Sequence, residues 1–272
     1  RHLEEAIELS KMGKGSLCSS LVTADEKTAR AYVLGAGPYH GRILVLNQDC
    51  AKESTGHGSP LPLLVHGGPG RAGGGEEMGG IRGVKHYMQR LAIQGSPSMI
   101  TAITGVYQPY ARGKDPGKHP FRKYFEELEI GDQLVTEKRL ITAEDIDRFA
   151  DLSGDHFYAH NRDTDFSGTM FERQVAHGYF IISLAAGLFV DSFDKNPVLL
   201  NYGIDELRFT KPVYAGTTIF VRFTCKEKIG QDTKDENDVP KGVVKWYVEI
   251  LDEKNEHVGI ATILTMVAKK PA

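Results

Sequence analysis

The run Val175-Ala-His177-Gly178-Tyr-Phe-Ile-Ile-Ser183-Leu-Ala-Ala-Gly-Leu-Phe-Val190 carries apolar residues on every side of a helix. A helix of that kind has to be surrounded rather than laid on a surface. What surrounds it is written downstream. Residues 198–213, 217–228, 243–252 and 258–269 are rich in Val, Ile, Phe and Tyr, with period-two stretches such as Ile219, Val221, Phe223, Cys225, and these read as four antiparallel strands. The polar insertion 227–241 between two of them reads as a solvated hairpin loop. Upstream, 133–141 alternates apolar and polar residues like a half-buried strand. Thr142-Ala-Glu-Asp145 is then a capping-box-like start for a helix with Ile146, Phe149 and Ala150 on one face.

Composition narrows the function classes. A formal net charge of −3 over 272 residues offers no basic face for nucleic acid or an anionic membrane surface, so a small-molecule substrate is expected. The longest apolar run, 179–190, falls short of the roughly 20 residues that span a bilayer. Cys18, Cys50 and Cys225 are odd in number, far apart and without a Cys-x-x-Cys spacing; they read as packing thiols in a reducing, cytoplasmic setting.

Organisation follows from punctuation. A glycine-dense stretch, 56–83, precedes a segment of proline, glycine and charge without periodicity before the regular pattern begins. The expected domains are 1–103, a linker at 104–122, and 123–272. Arg1 to Leu9 already has helical apolar spacing, so the chain is expected to be the tail of something longer.

The chemistry sits just before the buried helix. Leu152-Ser-Gly-Asp155-His156-Phe157-Tyr158-Ala159-His160 places an acid and an imidazole five positions apart on a loop, where they could hold one water between carboxylate and ring. Adding that water to the β-carbon of an unsaturated thioester needs a base for its proton and a site for the negative charge on the thioester oxygen. The N–H of Gly178, in the first turn of the helix, is a donor without an intrahelical partner, and a glycine there leaves room for a carbonyl to approach. Asp155 and His160 are therefore the expected catalytic pair. Gly178, His156, Tyr158 and His177 are the expected oxyanion and substrate-binding positions, with His177 also fixing the helix start. His156 and His160 stand at i, i+4, but no third ligand is placed near them, and no metal is assigned. Ser183 and Trp246 read as core.

The order strand, helix, loop, buried helix, four strands resembles the hotdog fold, in which an antiparallel sheet wraps a central helix. Phe149-Ala-x-Leu-Ser-Gly-Asp155-x-x-x-x-His160, then Phe171 and Val-Ala-His177-Gly178, resemble the signature of MaoC-type (R)-specific enoyl-CoA hydratases over about half the chain. Those enzymes carry Asn-Pro between acid and histidine. Here His156-Phe157-Tyr158-Ala159 intervene, which implies a pocket wall of aromatic and imidazole groups. With Gly-His-Gly-Ser-Pro-Leu-Pro at 56–62, His-Gly-Gly-Pro-Gly-Arg-Ala-Gly-Gly-Gly-Glu-Glu at 66–77 and Lys-His-Tyr-Met-Gln-Arg at 85–90, the pattern is similar to the bifunctional ring-opening enzymes of phenylacetate catabolism. In these an aldehyde dehydrogenase, an oxidoreductase, precedes a MaoC-type oxepin-CoA hydrolase.

That resemblance implies an α+β hotdog domain preceded by the C-terminal fragment of an α/β aldehyde dehydrogenase domain. It implies water addition to oxepin-CoA and collapse to a ring-opened semialdehyde, a lyase-type step with a hydrolase outcome. It further implies a homodimer or larger homo-oligomer and no cofactor for the hydration. NADP would belong to a part of the dehydrogenase not in this chain, which by itself should not oxidise aldehydes; Cys50, in Asn-Gln-Asp-Cys-Ala-Lys, lacks the setting of that family's nucleophile. Hydration of linear 2-enoyl-CoA is the alternative within the class, and a non-catalytic acyl-CoA-binding or assembly module is the alternative outside it.

Overall fold

A computed structural model describes residues 2–53, 88, 91–191, 194–233 and 238–271. The glycine-rich motifs at 56–62 and 66–77 lie outside the described residues, as does 85–90 except for Met88. The chain divides into two compact units, the first ending at Arg112 and the second beginning at Gly113.

The first unit is a small parallel α/β layer. Strands β1 (Ser16–Val22), β2 (His40–Leu46) and β3 (Ala92–Gln94) pair in that order. Helix α1 (Leu3–Lys11) packs through Ile7 onto a core formed by α2 (Glu26–Ala36), β2 and α3 (Pro97–Thr104). Asp25 caps α2 by accepting from the Thr28 N–H at 2.9 Å, one of the donors a helix start leaves open. Cys50 follows β2, with its Sγ 3.8 Å from the carbonyls of Val45 and Asn47.

The linker expected over 104–122 is instead shared between the units. Tyr107 and Ala111 are buried, the Tyr107 hydroxyl donating to the Ala111 carbonyl at 2.9 Å, while Lys114 pairs with Asp132 in a short parallel bridge.

In the second unit the expected strand 133–141 is two short pieces, β4 (Gln133–Val135) and β5 (Arg139–Leu140), both pairing a later strand within 218–230. Helix α4 (Ala143–Ser153) starts in the full capping box of Thr142 and Asp145 and ends at Gly154, whose φ of 77° is the left-handed conformation glycine adopts freely. After the loop comes α5 (Gly178–Leu188), then β6 (Val198–Phe209), β7 (Thr218–Gly230), β8 (Lys241–Asp252) and β9 (His257–Ala268). The sheet order is β4-β7-β8-β9-β6, antiparallel throughout. Pairings such as Cys225 with Trp246 and Trp246 with Ile263 put large apolar side chains in one row.

Ile181, Ile182 and Ala185 of α5 are buried in one cluster with Val221, Phe223, Trp246 and Val248 of the sheet. This is the hotdog arrangement, and Trp246 is core as expected, its Nε1 donating to Thr265 at 2.9 Å. The helix is not enclosed all round, however. Tyr179, Ser183 and Gly187, one stripe at i, i+4 spacing, are exposed, which corrects the reading of Ser183 as core. Cys225 lies at full burial in the sheet, which pushes its thiol up to about 12.

Lys123 and Asp132 form a buried pair at 2.7 Å where the unit begins, and Asp132 also accepts from the Glu129 N–H. Breaking such a pair leaves one charge without a partner, at a cost of about 3–5 kcal/mol. Lys123→Ala should therefore lower the denaturant midpoint of the second unit far more than Lys114→Ala, whose ion pair with Glu129 is exposed; equal shifts in a urea titration would contradict this.

Candidate functional site

Asp155 and His160 meet through local turns. The Asp155 carboxylate turns back on its own loop, its Oδ1 accepting from the Phe157 N–H at 3.2 Å. The His160 N–H then closes a tight turn onto the Phe157 carbonyl at 2.9 Å. These two bonds bring Asp155 Oδ2 to 3.9 Å from His160 Nε2. The other ring nitrogen, Nδ1, lies 2.7 Å from the Val175 carbonyl. A carbonyl only accepts, so Nδ1 carries the proton in the neutral ring and Nε2 presents its lone pair toward Asp155.

The segment that supplies Val175 is itself held on two sides. The Val175 N–H donates to the Ala159 carbonyl at 2.8 Å and the Ala176 N–H to the Val213 carbonyl at 2.7 Å. Gln174 Nε2 donates to the His160 carbonyl at 2.8 Å and to Asp147 at 2.7 Å. The chain then enters α5 at His177, whose side chain does not cap the helix. The first N–H groups of α5 are left as donors at the positive end of the helix dipole.

A cavity of about 390 Å³ opens here, with His160 and Gly178 both on its wall together with Phe171, Phe209, Lys211 and Val258. A Cβ at Gly178 would sit 2.4 Å from the Phe209 ring, so any larger residue there would have to displace that side chain. The space that the sequence reserved for an approaching carbonyl is bordered by that ring. Lys211 is held by Asp252 and Glu256, both at 2.5 Å, and those bonds keep its ammonium above the usual lysine range.

The other expected binding residues lie elsewhere. His156 is exposed, 3.9 Å from Asp151, and lines a polar hollow that His160 also borders. Tyr158 is exposed and rests on Phe157, ring centroids 4.5 Å apart. Neither borders the cavity, and neither does Asp155; of the four residues between acid and histidine, His156, Phe157 and Tyr158 are exposed and Ala159 is buried. His177 is 1% exposed and also off the cavity wall. Its Nε2 donates to the Asp155 carbonyl at 2.9 Å and its ring stacks on His160, centroids 3.7 Å apart. Burial holds the His177 imidazole below the usual histidine range.

His177 also supplies the third potential ligand that sequence spacing did not place near His160. Donor atoms of Asp155, His160 and His177 lie within 4.8 Å of one another. The two rings are stacked 25° from parallel, so the ring nitrogens not bonded to carbonyls lie in separate, nearly parallel planes, and no ion is assigned to the group.

Phe209, Lys211 and Val258 reach the cavity from β6, the turn after it and β9. Nothing local in the sequence marks them; the one signal is Phe209-Thr-Lys-Pro212, a charge and a proline closing an apolar strand. No helix among the described residues is long and apolar enough to cross a membrane.

Residues 126–246 match the family model of the MaoC like domain. A 65-residue stretch, 24% of this chain and 13% of the relative, is 34% identical to a 3,4-dehydroadipyl-CoA semialdehyde dehydrogenase from Aromatoleum evansii. A stretch covering 29% of this chain and 54% of the relative is 32% identical to 3-hydroxyacyl-thioester dehydratase Z from Mycobacterium tuberculosis. Protein MaoC from Klebsiella aerogenes is 55% identical over 228 residues, 84% of this chain and 68% of that protein. With that identity maintained over most of both chains, and with the matched residues containing the loop and helix of the site, this chain belongs to the MaoC-like family.

Proposed function

We propose that the second unit hydrates a thioester-activated double bond, with Asp155 and His160 as the water-holding pair and the start of α5 at Gly178 as the oxyanion site. The observation that carries this is two acceptors, Asp155 Oδ2 and the lone pair of His160 Nε2, 3.9 Å apart. One water can donate a hydrogen to each. As its oxygen bonds to the β-carbon, its proton passes to the pair, and the thioester oxygen takes the electron pair of the double bond against the open N–H groups of α5. Return of the proton to the α-carbon completes the addition. Val175's carbonyl keeps the His160 tautomer in register for that transfer.

The substrate we favour is oxepin-CoA. Water added at the ring carbon β to the thioester gives a hemiketal, which collapses to the ring-opened semialdehyde. The short similarity to a semialdehyde dehydrogenase and the parallel α/β layer of the first unit support reading that unit as part of an aldehyde dehydrogenase, whose NADP chemistry would consume the aldehyde. Asp155→Asn should lower kcat at least about a hundredfold, as should His160→Ala, and the double variant should be little worse than either, since both serve one proton transfer. His156→Ala should leave kcat within about twofold because its ring is exposed away from the cavity. Steady-state kinetics on these variants decide it. An Asp155→Asn enzyme that binds thioester and loses no rate would instead favour a non-catalytic acyl-CoA-binding module.

The mostly apolar wall also accommodates linear 2-enoyl-CoA. Turnover of oxepin-CoA compared with loss of the enoyl-thioester absorbance of crotonyl-CoA should favour the cyclic substrate by at least about tenfold in kcat/KM; the reverse ranking would make linear hydration the function.

The second unit also carries an edge suited to a second copy. Leu199, Leu200, Tyr202 and Ile204, all on the sheet's outer strand β6, are between 41% and 55% exposed, and an exposed apolar edge strand invites pairing. A homodimer through this edge should sediment as a dimer at micromolar concentration and dissociate on Tyr202→Lys with Ile204→Lys; a monomeric wild type would rule it out.

A further inference from the structure

His177 makes contacts that the hydration chemistry above leaves unused. Its Nε2–H holds the backbone carbonyl of Asp155 at 2.9 Å. One face of its ring lies on His160 at 3.7 Å, tilted 25°, and Phe149 of α4 packs against the same ring at 5.0 Å and 56°. Its main chain is the residue before Gly178. One side chain therefore touches the acid's backbone and the base's ring, and its own backbone leads into the oxyanion donor. It reaches neither the cavity nor solvent.

Building on that reading of Asp155 and His160, we propose that His177 is the positioning residue of the site. It sets Asp155 through the carbonyl it holds and sets His160 through the flat face it presents, so that the 3.9 Å gap between carboxylate and imidazole keeps the width of one water. Phe149 backs the ring on the side of α4, and α4 ends at Gly154, directly before Asp155. The titratable groups facing His177 are Asp155 and His156 from the loop and His160 from the turn. When His160 takes the proton from water, a neutral ring against its face accommodates the cation, whereas a second cation would oppose it. Burial keeps His177 neutral for this, and its Nδ1, buried and without a hydrogen bond among the described residues, carries no proton.

The test separates the two contacts. His177→Phe keeps a flat ring between Phe149 and His160 but cannot donate to Asp155; His177→Asn keeps a donor but not the ring; His177→Ala keeps neither. On protein shown to be folded by its thermal transition, kcat for the better of oxepin-CoA and crotonyl-CoA should fall about tenfold in each of the first two and about a hundredfold in the third, with KM within about threefold. Placed on Asp155→Asn, His177→Ala should cost less than about threefold more, because a positioning residue has nothing left to position. A purely structural residue would lose rate additively in both backgrounds. Additive losses, or a folded His177→Phe and His177→Asn that both keep kcat within twofold, would overturn the proposal. If His177→Ala does not fold, the other two variants carry the test in both backgrounds. Should Asp155→Asn itself lose no rate, the hydration reading fails first, and His177 loses its role with it.

Discussion

Burial of the apolar side of α5 against the concave face of the sheet is the constraint from which the rest of the second unit follows. Ile181, Ile182 and Ala185 have to meet Val221, Phe223, Trp246 and Val248, and a helix pinned along its length has its first turn pinned as well. The open N–H groups at Gly178 therefore stand at a fixed place beside the sheet. The Val175–His177 segment, tied to Ala159 and Val213, delivers the loop that carries Asp155 and His160 to that same place. Hydrophobic packing sets the positions, and hydrogen bonds to main-chain carbonyls set which nitrogen of each ring donates.

Elements governed by local rules were legible in the sequence. An unbroken apolar run gave α5, period-two stretches gave β6 to β9, and the Thr142 to Asp145 spacing gave the start of α4, each within a few residues of where it lies. The strand at 133–141 breaks in two because β7 pairs with both pieces across a local departure from the ladder, at Gln133 to Val135 and again at Arg139 to Leu140, and alternation alone does not show such a break. The exposed stripe Tyr179, Ser183, Gly187 was invisible for a related reason. An all-round apolar helix demands cover, but composition does not say which part of the cover belongs to the same unit.

The site divides in the same way. The pairing of Asp155 with His160 and the place of Gly178 at the start of α5 were readable because residue type and short spacing are local, and the structure puts the pair 3.9 Å apart and His160 and Gly178 on one cavity. The misplacement of His156 and Tyr158 came from treating a loop as a wall, when a single turn of 3-10 helix at Tyr158 to His160 sends neighbouring side chains in different directions. His177 was readable as a residue that fixes the start of α5 but not as a partner of His160, since stacking between residues from two segments has no local imprint. Phe209, Lys211 and Val258 enter the cavity only through the sheet's tertiary arrangement.

Both histidine tautomers are held by main-chain oxygens, Val175's for His160 and Asp155's for His177. A carbonyl is supplied by any amino acid, so the proton arrangement depends on the path of the backbone rather than on neighbouring side chains. About half of the cavity wall, from Phe209 to Val213 and Val258, comes from β6, the turn after it and β9. Side chains on that part of the wall can therefore change without disturbing the two bonds that hold the histidine rings, because those bonds are made by the main chain of Asp155 and Val175.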